Sequence, residues 1–195
     1  GLGDVYKRQL DIRYAVKELA RKMAKPTKAD WRKLIRLGRY LVDKTRLVIK
    51  FGYQNKDGYV TVYTDSDHAS CPATRKSTSG GLIVMGNHTI QAWSTTQSTI
   101  ALSSGEAEYY AMVRGSSHGL GLQVMLHDLG IDLKVRVKTD ASVAKSIASR
   151  RGIGKIKHLE TNVLWLQQKV FEGKIDVVKI PRAIYYSDIM TQYRT

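Results

Sequence analysis

Tyr63-Thr64-Asp65-Ser66-Asp67-His68-Ala69-Ser70 is the stretch whose reading decides the fold. It closes a β-branched and aromatic run, Tyr59-Val60-Thr61-Val62-Tyr63-Thr64, that reads as a strand ending on Asp65. Delivering a carboxylate to the carboxyl end of a strand, where the chain turns away, is a common way to build a metal or catalytic site in an α/β fold. The pattern recurs once. Leu133 to Lys138 alternates, with Leu133, Val135 and Val137 on one side, and it ends in Thr139-Asp140. Two such strands, parallel and adjacent at a spacing of about 4.8 Å, put both aspartates at one edge.

Two further acids are placed to join them. Ser103 and Glu106 form an S-x-x-E capping pair that opens a helix through about residue 118 and gives Glu106 a structural task; Leu120 to Leu129 continue or restart that helix, with Gly130 as a stop. Glu108 has no such local duty. It shares a helical face with Ala111, Met112 and Gly115, small or flexible residues suited to lying close on a sheet, so Glu108 is the candidate for pointing back at the strand ends. Asp188 opens or adjoins a short C-terminal helix. Four clustered carboxylates repel one another unless a cation compensates, and all-oxygen ligands select hard ions, Mg²⁺ or Mn²⁺. Two such ions about 3.5–4 Å apart suit in-line displacement at phosphorus. Asp65, Glu108, Asp140 and Asp188 are therefore read as metal ligands for phosphodiester hydrolysis.

Composition supports a polyanionic partner. The chain has 32 Lys and Arg against 17 Asp and Glu, a formal net charge of +15, the electrostatic footprint of a nucleic-acid binder. The single cysteine, Cys71, precludes an internal disulfide. No apolar run is long enough to span a bilayer, and the N-terminus lacks the apolar core of a signal peptide.

In order along the chain, residues 1–9 show no period and are set aside as a fragment end. Residues 10–46 read as a basic helical hairpin. Its first helix, 10–24, stops at Pro26; its second is opened by Thr27 and Asp30 and has an apolar stripe of Trp31, Leu34, Ile35, Gly38 and Val42. Residues 47–195 form the α/β domain. Strands are expected at Leu47–Tyr53, from Tyr59, at Gly80–Met85, Thr89–Trp93, Leu133–Lys138 and Lys174–Ile180; helices follow at Ser142–Ser149 and at about 156–171.

Six ordered motifs, YTDSDHAS (63–70), RKSTSGG (75–81), SSGEAEYYA (103–111), VKTDASVAKSIA (137–148), KIKHLE (155–160) and YSDIMT (186–191), resemble the ribonuclease H domain of copia-type LTR retrotransposon Pol polyproteins. Residues 11–45 resemble, more loosely, the helices that link reverse transcriptase to that domain. The resemblance implies a ribonuclease H-like fold, a five-stranded mixed sheet of order 3-2-1-4-5 flanked by helices. It implies Mg²⁺-dependent endonucleolysis of the RNA strand of an RNA–DNA hybrid, with the reverse transcriptase domain of the same polyprotein as neighbour. It also implies an intracellular setting, a cytoplasmic virus-like particle or the nucleus. Matched by position, the family's catalytic acids fall on Asp65, Glu108, Asp140 and Asp188, and its near-site histidine on His158. Arg75, Lys76, Arg150, Arg151, Lys155 and Lys157 are the expected contacts to the nucleic-acid backbone. The alternative reading is a catalytically inactive, nucleic-acid-binding remnant of such a polyprotein.

Overall fold

A computed structural model of the chain describes residues 9–44, 48–55, 57–154, 163–181 and 186–191. Five strands build one mixed sheet: β1 (Tyr59–Asp67), β2 (Thr78–Met85), β3 (His88–Thr96), β4 (Lys134–Thr139) and β5 (Ile175–Lys179). Their order is β3-β2-β1-β4-β5. The first three form an antiparallel meander, and β4 and β5 add in parallel on the other side of β1. The sheet is that of a ribonuclease H-like fold, as the sequence motifs imply.

Strand alternation sorts the two faces. Val60 and Val62 of β1, Ile83 of β2 and Val135 and Val137 of β4 point into the main core with Tyr109, Met112, Ile147 and Leu166. That core is covered by α3 (Ser104–Asp128), α4 (Ser142–Ser149) and α5 (Trp165–Phe171). Tyr63, Leu82 and Ala92 face the other way and meet Met190 from a closing 3₁₀ turn, Tyr186–Met190, with Leu10, Val84, Ile180 and Ile189 around them.

This second face is also roofed by α1 (Arg13–Ala20), which packs on β3 and on the closing turn. Arg13 donates to the Ala92 carbonyl. Lys17 Nζ donates to Thr78 Oγ1 at 2.7 Å, and Arg21 Nη2 reaches Cys71 Sγ at 2.8 Å. Glu18 links the two cations, 2.6 Å from Lys17 and 3.2 Å from Arg21. α2 (Lys28–Asp43) opens on the expected capping box: Thr27 Oγ1 accepts from Asp30 N, and Asp30 Oδ2 accepts from Thr27 N. Its apolar stripe is uncovered, with Trp31 63% and Val42 75% exposed.

Two local expectations change, and one that was open is decided. β1 does not stop at Asp65; it stays paired with β2 as far as Asp67 opposite Thr78. Of the strand expected at Leu47–Tyr53, the described residues 48–53 form none. Instead Gln54 anchors the segment, donating to the Met85 carbonyl and accepting from Asn87 N, each at 2.7 Å. α3 runs unbroken to Asp128, so the residues from Leu120 on continue the helix rather than restart it. Two of its glycines face β1: a Cβ on Gly115 would sit 2.3 Å from Thr64 Cγ2, and one on Gly119 2.8 Å from Val62 Cγ2. Close packing thus outweighs the roughly 1 kcal/mol helix penalty of each glycine. The helix stops at Gly130, where φ is +76° and Ile131 N bonds back to the Leu126 carbonyl at 2.8 Å, the left-handed exit that glycine favours. Of the expected long helix 156–171, the part before residue 163 lies outside the described residues.

Candidate active site

The parallel pairing of β1 with β4 runs to Tyr63 opposite Lys138. Two residues further on, in continued register, Asp65 and Asp140 fall opposite one another at the carboxyl ends of the two strands. Thr139 is fully buried and its hydroxyl accepts from Ala141 N at 3.1 Å, turning the chain sharply after Asp140 into α4. Glu108 arrives from the second turn of α3. The helix is set by Ser103, whose hydroxyl caps Glu106 N at 3.2 Å, while the buried Glu106 carboxylate accepts from Leu102 N and Tyr110 Oη, both at 2.9 Å. With Glu106 so occupied, Glu108 is free to cross to the sheet, where Ser66 N donates to its Oε1 at 3.1 Å.

One carboxylate oxygen from each of Asp65, Glu108 and Asp140 lies within 4.8 Å of the others. Asp188, in the closing turn, is not a member of that trio, yet its charge is among those acting on Asp65 and Glu108. Burial is the largest influence on Glu108 and, with the charges of Asp65 and Asp140, pushes its carboxyl up to about 9. Burial likewise raises Asp65 to about 6, helped by Asp188 and Asp140 and opposed by a hydrogen bond from Thr191. Glu108 Oε2 is buried without a hydrogen-bond partner. Three converging carboxylates, of which Asp65 and Glu108 are disfavoured as charges and Glu108 has an orphaned buried oxygen, match the donor set of a hard divalent cation.

The expected backbone contacts are less gathered. Arg75 and Lys76 lie in a tight turn closed by Arg75 N to the Cys71 carbonyl, 2.7 Å, with Arg75 at a φ of +56°. Arg150 Nη2 donates to the Ile153 carbonyl at 2.6 Å, and Arg151 stacks 3.7 Å from the centre of the Phe171 ring. The buried Gln167 secures this basic loop, bonding the Ile147 carbonyl and both Gly152 N and Gly152 O. His158, Lys155 and Lys157 lie outside the described residues.

Two residues at the site carry no clear signal in the sequence. Thr191 is buried, and its hydroxyl donates to Asp65 Oδ2. Gly80 pairs with Asp65 across β1 and β2, and a Cβ there would lie 2.6 Å from Thr191 Cγ2 and 2.7 Å from Met190 Cβ. Only the position of Thr191 in YSDIMT, three residues after Asp188, hints at a role.

No protein-family model matches the chain. It is 29% identical over 184 residues to the retrovirus-related Pol polyprotein from transposon TNT 1-94 of Nicotiana tabacum, covering 93% of this chain and 14% of that protein. It is 28% identical over 185 residues to the retrovirus-related Pol polyprotein from transposon RE2 of Arabidopsis thaliana, covering 93% of this chain and 13% of that protein. The chain thus spans a small part of the length of these relatives. Among solved structures it is similar to LC11 ribonuclease H1 in complex with an RNA/DNA hybrid, at a TM-score of 0.47 and 21% identity over 68% of this chain and 93% of that one. The sequence relatives of the chain are thus retrovirus-related Pol polyproteins of copia-type transposons, and its sheet order is that of a ribonuclease H-like fold.

Proposed function

We propose that this chain cleaves the RNA strand of RNA–DNA hybrids during retrotransposon reverse transcription, with Asp65, Glu108, Asp140 and Asp188 as its metal ligands. The observation that carries the reading is the meeting of Asp65, Glu108 and Asp140 within 4.8 Å at the strand ends, with Glu108 Oε2 left unpartnered. When bound, a pair of Mg²⁺ or Mn²⁺ ions supplies positive charge to the attacking and leaving oxygens of an in-line displacement. The residues of the chain do the rest. Ser66 N fixes one oxygen of Glu108 and leaves the other to ligate. Asp65 sits between Asp140 on one side and the closing turn on the other. His158 assists proton transfer near neutral pH, and Arg75, Lys76, Arg150, Arg151, Lys155 and Lys157 hold phosphates without reading sequence. The RNA strand is told from DNA by its 2′-hydroxyls. Within the polyprotein, the reverse transcriptase domain that makes the hybrid is the natural neighbour, and the setting is intracellular.

The test is incubation of the chain with Mg²⁺ and an RNA–DNA hybrid labelled on each strand. The RNA strand is expected to be cut and the DNA strand spared, and Asp65→Asn or Asp140→Asn is expected to abolish cutting while hybrid binding persists. Cutting that survives either substitution refutes the assignment. RNA left whole by the unsubstituted chain leaves only a nucleic-acid-binding remnant.

A further inference from the structure

The acid trio has a neighbour that the ligand assignment does not use. Thr191 is 2% exposed, and its hydroxyl oxygen lies within bonding distance of two acceptors, Asp65 Oδ2 and, at 3.2 Å, the Asp188 carbonyl. A hydroxyl has one proton to give. The Asp188 carbonyl already receives Thr191 N–H at 3.2 Å, and a carboxylate is the stronger acceptor, so the proton goes to Asp65. The methyl group of Thr191 has its own task, packing on Gly80 where any Cβ would collide with it. Packing accounts for the methyl and would be met equally by valine. It does not account for a buried hydroxyl aimed at a carboxylate 126 residues away in the chain.

We infer that Thr191 is a positioning residue: its hydroxyl holds the Asp65 carboxylate in one orientation and latches the turn that carries Asp188 onto the strand that carries Asp65. Gly80 is the other half of the latch, since its missing side chain is the space through which the turn enters. The inference rests on the reading of the trio as a metal centre. Removing an outer partner that orients a metal ligand weakens the site without removing any ligand.

The experiment compares Thr191→Val, which keeps the shape and loses the hydroxyl, with Thr191→Ser, which keeps the hydroxyl. Mn²⁺ binding to the full chain is measured by calorimetry without substrate, alongside the Mg²⁺ concentration for half-maximal hybrid cleavage and the melting temperature. Thr191→Val is expected to bind Mn²⁺ about tenfold or more weakly while melting near the parent, and Thr191→Ser to stay close to the parent. Gly80→Ala, which displaces the turn with the hydroxyl intact, is expected to reproduce the valine result, and it serves as the second variant if valine does not fold. Unchanged Mn²⁺ affinity in both Thr191→Val and Gly80→Ala overturns the inference, as does a serine variant as weak as valine. A parent that binds Mn²⁺ yet leaves the RNA whole refutes the nuclease reading and leaves the Thr191 comparison standing. A parent that binds no Mn²⁺ overturns both.

Discussion

Glu108 and Asp65 are acids that the folded chain holds at about 9 and about 6, against ordinary values of 4.5 and 3.8. A raised carboxyl keeps its proton in the fold after the unfolded chain has released it. Stability from these groups is therefore fully present below the ordinary values and is lost as pH rises through about 6 for Asp65 and about 9 for Glu108. With metal chelated, the melting temperature is expected to fall between about pH 5 and about pH 8, and added Mg²⁺ or Mn²⁺ is expected to raise it more at the upper value, where protons compete less. A melting temperature that climbs over that interval without metal contradicts the arrangement. These acids were legible in the sequence because the strand-Thr-Asp pattern occurs twice and because Glu106 has a capping duty that singles out Glu108. Thr191 was not legible: a lone threonine has no period, and its partner is distant in the chain.

At the scale of elements, α3 shows two rules in competition. Alanine in place of Gly115 gains roughly 1 kcal/mol of helix propensity. Its methyl, however, would meet Thr64 Cγ2 at 2.3 Å on a buried strand, and overpacking of this kind costs about 1–3 kcal/mol. Gly115→Ala is expected to destabilise the domain in urea titration; a stabilised variant means the helix is free to lift from the sheet. Small residues on one helix face gave the contact away in advance. The stop of α3 at Gly130 was legible too, but whether the helix continued or restarted after Ser116 and Gly119 was decided only by β1 lying beneath. The strand expected at Leu47–Tyr53 was misread because weak alternation records only a preference for pairing; the segment is held instead through Gln54. α2 likewise shows its caps plainly in the sequence, whereas nothing there says what covers Trp31 and Val42.

The whole molecule is a sheet with a thick helical layer on one side and a thin cover on the other. That cover is made of α1 and the closing turn, the two ends of the described chain, and the register of Arg13, Lys17 and Arg21 against Ala92, Thr78 and Cys71 could not be foreseen from helical periodicity. We propose that α1 is part of the folded unit. A chain beginning at residue 47 is expected to melt at a lower temperature than one beginning at residue 9, because Tyr63, Leu82 and Ala92 lose part of their cover. Equal melting temperatures would make α1 a passive passenger. The net charge, by contrast, was legible from composition alone, being a property of the sum and not of the arrangement.

The latch on Asp65 has a consequence for timing. Residue 65 is made 126 residues before Thr191, so its carboxylate lacks the Thr191 hydroxyl until that residue has emerged and folded back. Between the emergence of Lys179 and that of Thr191 the nascent chain has all its strands available and the Asp65 carboxylate still without this partner. Termination between Lys179 and Thr191 would release a protein that has all five strands and lacks the partner of Asp65.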